Sequence, residues 1–274
     1  MTLAIGMICQ GGILVTADTR VSYDDGSVAD VEKVSGFASH SGLYAIAQSS
    51  HDANAANSLI AELEGKLAGA RPSSSQPSYF SEVEQVIKEV LRQWYAPVYE
   101  NRPSVQLLVG VVLEQEKTPA LYFCEPPSTV CRIWDAYKAI GAGWVISDPI
   151  YKYWTQGGVR PLHETLCEAS YLMYKGKQLL PASIGGFTDA IFIGSNASAL
   201  YRVERKSMAT AEACGPAFDR AMSKIVSLAM SGGAGGTPET LKIAEFMYSI
   251  SLLYSRLELH CSFPEITIRH EFNT

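Results

Sequence analysis

Two apolar runs, Leu3 to Cys9 and Ile13 to Ala17, meet at Gln10-Gly11-Gly12, and this pattern sets a β-hairpin as the first element of the chain. Its strands are expected at about 2–9 and 12–18. A third strand at 42–48 precedes a helix from Asp52, in which Ala56, Leu59, Ile60, Leu63 and Leu67 recur at the helical period. The polar linker from Arg71 to Pro77 separates it from a second helix over 81–95, with Val83, Val86, Ile87, Val90, Leu91 and Trp94 on one face. Four strand candidates follow at 105–114, 119–124, 129–134 and 136–141. Two helical segments come next, the better one aligning Leu162, Leu166, Ala169 and Met173, and then strands at 188–194 and 199–204. Strands, two helices, strands, two helices, strands is the order that two stacked sheets with a helical layer outside each would require. The expected fold is therefore α+β, a four-layer αββα sandwich of two mainly antiparallel sheets.

The 274 residues, 47% hydrophobic and 18% charged, suffice for one substantial core, so residues 1–274 are read as a single domain. Residues 205–274 form a C-terminal extension of it. That extension should hold a helix at 210–230, a glycine-rich joint from Ser231 to Gly236, a helix over 238–257 and a last strand from Glu265 to His270. The joint lacks a following Lys-Ser/Thr and is read as a hinge rather than a phosphate loop. No uncharged apolar run approaches about twenty residues, so no membrane span is expected. No basic region precedes the first apolar run, so no signal peptide is expected and the location is cytoplasmic. A net charge of −6, with Arg202, Arg205 and Lys206 as the densest basic group, argues against nucleic acid. That group is read as a solvated strand-to-helix connection. The six cysteines show no Cys-x-x-Cys pair and are read as reduced core residues, and the five histidines are too scattered for a metal site.

Chemistry enters at Met1-Thr2. Threonine is small enough for the initiator methionine to be removed ahead of it. The new terminus would carry a hydroxyl nucleophile and an α-amine, of reference pKa about 8, able to accept its proton. The second hairpin strand ends in Ala17-Asp18-Thr19-Arg20, and a polar loop leads on to Val31-Glu32-Lys33-Val34. Each of these residues also has a plain structural reading, as a strand-end ion pair, an edge lysine and the first residue of a strand.

Over residues 2–52 the chain resembles the proteasome β-subunit family, with its bacterial relatives among the amino-terminal-nucleophile hydrolases. The resemblance rests on the terminal threonine, the Gly-Gly hairpin, the Ala-Asp-x-Arg strand end and the Val-Glu-Lys segment. It implies the four-layer fold of those hydrolases, Thr2 as nucleophile, Lys33 as catalytic lysine, Asp18 as the acid that holds it, and Arg20 as a neighbour behind them. It also implies an oxyanion donor at the backbone of Gln48, where the family has glycine, and a mostly apolar substrate pocket bordered by Val21, Val31, Ile46 and Ser50. Three positions depart from the family pattern. Ala142 replaces a serine between glycines in Gly141-Ala142-Gly143. In Pro181-Ala182-Ser183-Ile184-Gly185-Gly186, Pro181 and Ile184 stand where an aspartate and a serine are expected, with Ser183 one place away. The activity so implied is a threonine endopeptidase that cleaves peptide bonds through an acyl ester on Thr2. It would work in a homo-oligomeric ring on peptide or unfolded protein, without a cofactor and with an unfolding partner unspecified. The alternatives are a catalytically silent assembly subunit, or a related amidohydrolase or transpeptidase.

Overall fold

The computed structural model describes residues 2–23, 25–69, 79–95, 103–116, 118–155, 158–195, 199–220 and 223. The hairpin forms as β1 (Ala4–Cys9) and β2 (Gly12–Asp18), with Ala4 opposite Ala17 and Cys9 opposite Gly12. Both strands are buried on both faces, which explains why their sequences run apolar instead of alternating. β10 (Tyr137–Ile140) pairs with β1, β11 (Thr188–Gly194) with β2, and β12 (Leu200–Val203) with β11, giving a five-stranded antiparallel sheet of order β10-β1-β2-β11-β12.

A second antiparallel sheet has the order β5-β6-β7-β8-β9, from β5 (Val34–Ala38), β6 (Gly42–Ser50), β7 (Val105–Leu113), β8 (Pro119–Glu125) and β9 (Thr129–Ile133). Side chains alternate across it. Ala45, Ala47, Leu108 and Val112 meet Ala4, Ile13, Val15 and Ala17 of the first sheet, and the many alanines let the two sheets approach closely. On the other face, Tyr44, Ile46, Leu107, Val109 and Val111 are covered by α1 (Ala53–Gly69) and α2 (Tyr79–Trp94). Asp52 caps α1, its Oδ1 accepting the N–H groups of Asn54 and Ala55 at 2.9 and 3.1 Å. α3 (Trp144–Thr155), α4 (Leu162–Leu179) and α5 (Arg205–Ala213) lie on the outer face of the first sheet, where Leu166, Ala169, Leu172, Met173 and Met208 bury Leu3, Ile5 and Met7. Each such leucine contributes roughly 1.5–3 kcal/mol by leaving water. The four-layer αββα sandwich is thus present, with its first strand starting two residues beyond Thr2.

Several elements differ from expectation. A ribbon of β3 (Arg20–Ser22) and β4 (Val28–Asp30), and strand β5 itself, are too short and too polar to give a periodic signal. α5 starts at Arg205, because Arg205 is anchored to Asp189 by two hydrogen bonds of 2.6 and 3.0 Å. Arg202 pairs with Glu32 and Arg205 with Asp189, so both arginines of this basic group are engaged in ion pairs, while Lys206 is exposed. Among the described residues Cys9 and Cys124 are buried core thiols, Cys131 is exposed, and Cys167 and Cys214 are half-buried. The helix at 238–257, the glycine-rich joint and the last strand lie outside the described residues. Among the described residues no helix is long and apolar enough to cross a membrane.

Candidate active site

The end of β2 organises the site. Asp18 is fully buried, and its carboxylate accepts the Leu3 N–H at 2.9 Å, the Gly185 N–H at 3.2 Å and the Lys33 Nζ at 3.3 Å from each oxygen. Its own N–H donates to the Leu3 carbonyl at 3.1 Å, so the residue next to Thr2 is held from both sides. Lys33, 5% exposed, also donates to the Arg20 carbonyl at 2.5 Å. Burial pushes the Lys33 ammonium below the ordinary lysine value, opposed by the charge of Asp18. Burial pushes the Asp18 carboxyl up, opposed by Lys33 and by the two N–H donors. Thr2 is 2% exposed, and its carbonyl accepts the Gly143 N–H at 3.3 Å. The structure therefore brings the Thr2 backbone, Asp18 and Lys33 together through the first rung of the hairpin.

Two loops brace this arrangement. At Gly141 the backbone has φ +78°, and a Cβ there would stand 2.2 Å from the Thr2 carbonyl oxygen and 2.7 Å from Ser49 Oγ, so only glycine lets the loop reach Thr2. Gln106 Oε1 accepts the Gly141 N–H at 3.1 Å while its Nε2 donates to Glu125 at 3.0 Å. On the other side, Arg20 donates to the Pro181 carbonyl at 2.7 Å and lies flat against Gly185. Gly186, at φ +67°, leaves room for Thr19 Oγ1 to donate to Asp30 at 2.7 Å and accept the Phe187 N–H at 2.8 Å. Gln106, Ser49, Thr19 and Asp30 are absent from the sequence-based site. Gln106 is the one of them with a visible signal, a polar residue inside the apolar run Val105 to Leu113.

Other expected residues sit differently. The Gln48 N–H donates to the Lys33 carbonyl at 3.0 Å, as a last rung beyond the β5–β6 pairing, so the presumed oxyanion donor is already bonded. Its side chain points to α1, where Nε2 donates to Asn57 Oδ1 at 2.8 Å. Ile46 is fully buried beneath α1 with Tyr44 and Leu59, which makes it core and not an open pocket wall. Ser50 donates to the Ser104 carbonyl and accepts the Asp52 N–H, at 3.1 and 3.0 Å. Val21 and Val31 are half-buried, Val21 opposite Ala29 in the β3–β4 ribbon. Ala142 and Ser183 are half-buried, and Ile184 belongs to the outer core. Among the described residues no group of three or more His, Cys, Asp or Glu is placed to hold a metal ion.

No protein-family model and no curated protein matches the sequence. Solved structures do match. A mutant of Anbu from Hyphomicrobium sp. strain MC1 superposes with a TM-score of 0.65 at 14% identity, over 86% of this chain and 100% of that one. The fold is that of Anbu. Anbu (ancestral beta-subunit) from Yersinia bercovieri gives 0.66 at 13% identity, over 86% of this chain and 99% of the other. The helical assembly of the Anbu complex from Pseudomonas aeruginosa gives 0.64 at 17%, over 86% and 98%. These matches correct the resemblance drawn from residues 2–52: the similar structures are Anbu proteins, a proteasome-like but distinct group, and not proteasome β-subunits proper. The short motifs at the N-terminus are too few to separate the two, and at these identities the Anbu likeness is one of fold.

Proposed function

We propose that this chain is a subunit of a homo-oligomeric, Anbu-like particle whose threonine centre is silent toward peptide bonds in the arrangement described. One observation carries the reading. The Gln48 N–H that would meet a tetrahedral oxyanion is bonded to the Lys33 carbonyl, and loss of one such donor typically lowers turnover by about 10²–10³. Ala142, Pro181 and Ile184 supply no side-chain hydrogen bond in its place. Self-assembly is supported by the helical assembly that the Anbu complex from Pseudomonas aeruginosa forms, and Trp134, Trp144, Val145 and Val159 are exposed apolar residues available to such a contact. A head-to-tail contact closes into a ring or continues as a helix according to its rotation. Residues 205–274 belong to this proposal as an extension of the single domain.

A second reading, a threonine-type peptidase, amidohydrolase or transpeptidase, is favoured by the buried Lys33–Asp18 pair. A buried ion pair is weak support for a fold, whereas a lysine depressed by burial, paired with the carboxylate that holds the residue after Thr2, suits proton transfer. Thr2 would attack through its hydroxyl with its own α-amine as base, Lys33 tuning both and Asp18 fixing Lys33. Light scattering together with turnover of a fluorogenic peptide panel separates the readings. Assembly without turnover is the expected result. Turnover that Thr2→Ala removes would replace the first reading by the second, and competition between an amine acceptor and water would then distinguish a transpeptidase.

A further inference from the structure

Gln48 joins the site to the helical layer through both of its ends. Its N–H holds the Lys33 carbonyl, and its Nε2 holds Asn57 Oδ1 on α1. The residue is 3% exposed, yet its Oε1 has no hydrogen-bond partner among the described residues. A buried acceptor without a partner makes this closed arrangement costly. The Lys33–Gln48 bond is also the terminal rung of its ladder, next to the Val34–Ala47 pair, and terminal rungs are the first to open. Asn57, by contrast, is exposed, so the outer end of the contact lies at the surface.

From these observations we infer that the Gln48–Asn57 contact is a latch that keeps the Gln48 N–H on the Lys33 carbonyl, and that releasing it from the α1 side turns this N–H toward the Thr2 cleft. Opening removes two neutral hydrogen bonds, Nε2 to Asn57 and the N–H to Lys33, and offsets them by exposing these groups and the orphaned Oε1 to water. The closed and open states are therefore close in free energy, and a contact on the exposed Asn57 end is enough to shift them. The inference deepens the silent reading of the site and rests on it for its starting state.

Asn57→Leu removes the acceptor, and Asn57→Asp keeps it in charged form; both alter an exposed side chain outside the site. Two rates are read on protein that starts at Thr2. One is hydrogen exchange of the Gln48 amide from overlapping β6 peptides. The other is acylation by a β-lactone, in which the Thr2 hydroxyl oxygen attacks the lactone carbonyl, the ring C–O bond breaks and the ring oxygen takes up the proton. Asn57→Leu should raise both rates by about five- to tenfold over the wild type, the change that loss of one neutral hydrogen bond produces. Asn57→Asp should leave both at or below the wild-type rate. Unchanged exchange in Asn57→Leu, or faster exchange without faster acylation, would overturn the latch. The ratio of variant to wild type tests the latch, whereas rapid acylation of the wild type itself would count against the silent reading.

Discussion

Removing Lys33 while leaving Asp18 in place is the most revealing perturbation of this structure. Lys33→Met keeps most of the apolar stem and deletes the ammonium, leaving a fully buried carboxylate with only the Leu3 and Gly185 N–H groups as partners. Breaking one side of a buried pair costs about 3–5 kcal/mol. At about 2–4 °C per kcal/mol for a chain of this size, the melting temperature should fall by roughly 6–20 °C. The loss should depend on pH. In the variant, burial without Lys33 raises the folded-state pKa of Asp18 above its unfolded value, so the folded state binds the extra proton and stability falls as pH rises through that interval. The deficit against the wild type should therefore be largest near pH 8 and shrink toward pH 4. Calorimetry or chemical denaturation at fixed protomer concentration reads both quantities. Asp18→Asn in the same background removes the stranded charge and should recover at least about 1 kcal/mol, a coupling that a double-mutant cycle isolates. A loss under about 1 kcal/mol, or one independent of pH, would refute a buried charged pair.

Gly186→Ala should cost more than the usual surface change of about 0.5 kcal/mol, because its φ is +67° and a Cβ would fall 2.1 Å from Asp30 Oδ1; thermal denaturation checks this. Glu168 is pushed up to about 7, chiefly by burial and against the pull of Arg160 at 3.1 Å. Because that raised acid loses stability as pH climbs from its unfolded value to about 7, Glu168→Gln should gain on the wild type over that window, as melting curves at pH 4.5 and 7.5 would show. Gln106→Leu removes the acceptor of the Gly141 N–H, and should accelerate amide exchange at 141–143 by about tenfold without dissolving the sheet.

Local patterns carried most of the fold. The unbroken apolar runs of β1 and β2 reflect burial on both faces, and α1, α2 and α4 repeat at the helical period because each buries one side. The contact of Asp18 with Lys33 and with the residue after Thr2 was legible because all of them lie close in sequence to the hairpin. What the chain concealed depends on long-range placement. Ile46 reads equally well as a pocket wall or as core, and only the seating of α1 decides for core. For Gln48 only a backbone role was expected; strand alternation puts its side chain with Tyr44 and Ile46 on the helical side, toward Asn57. The bracing of Asp18 by Gly185 spans 167 positions, beyond the reach of any local pattern. β3, β4 and β5 are held by pairing and by ties such as Val31 to Thr19, not by their own propensity.

The proposed silence of the threonine centre is tested most directly on protein prepared with Thr2 as its first residue. Intact mass after exposure to a β-lactone, with peptide turnover measured on the same sample, reports whether the hydroxyl reacts. The account predicts an assembled particle with the unmodified mass and no peptide turnover. An adduct on Thr2 accompanied by peptide hydrolysis, both lost in Thr2→Ala, would contradict it and establish the centre as a working hydrolase.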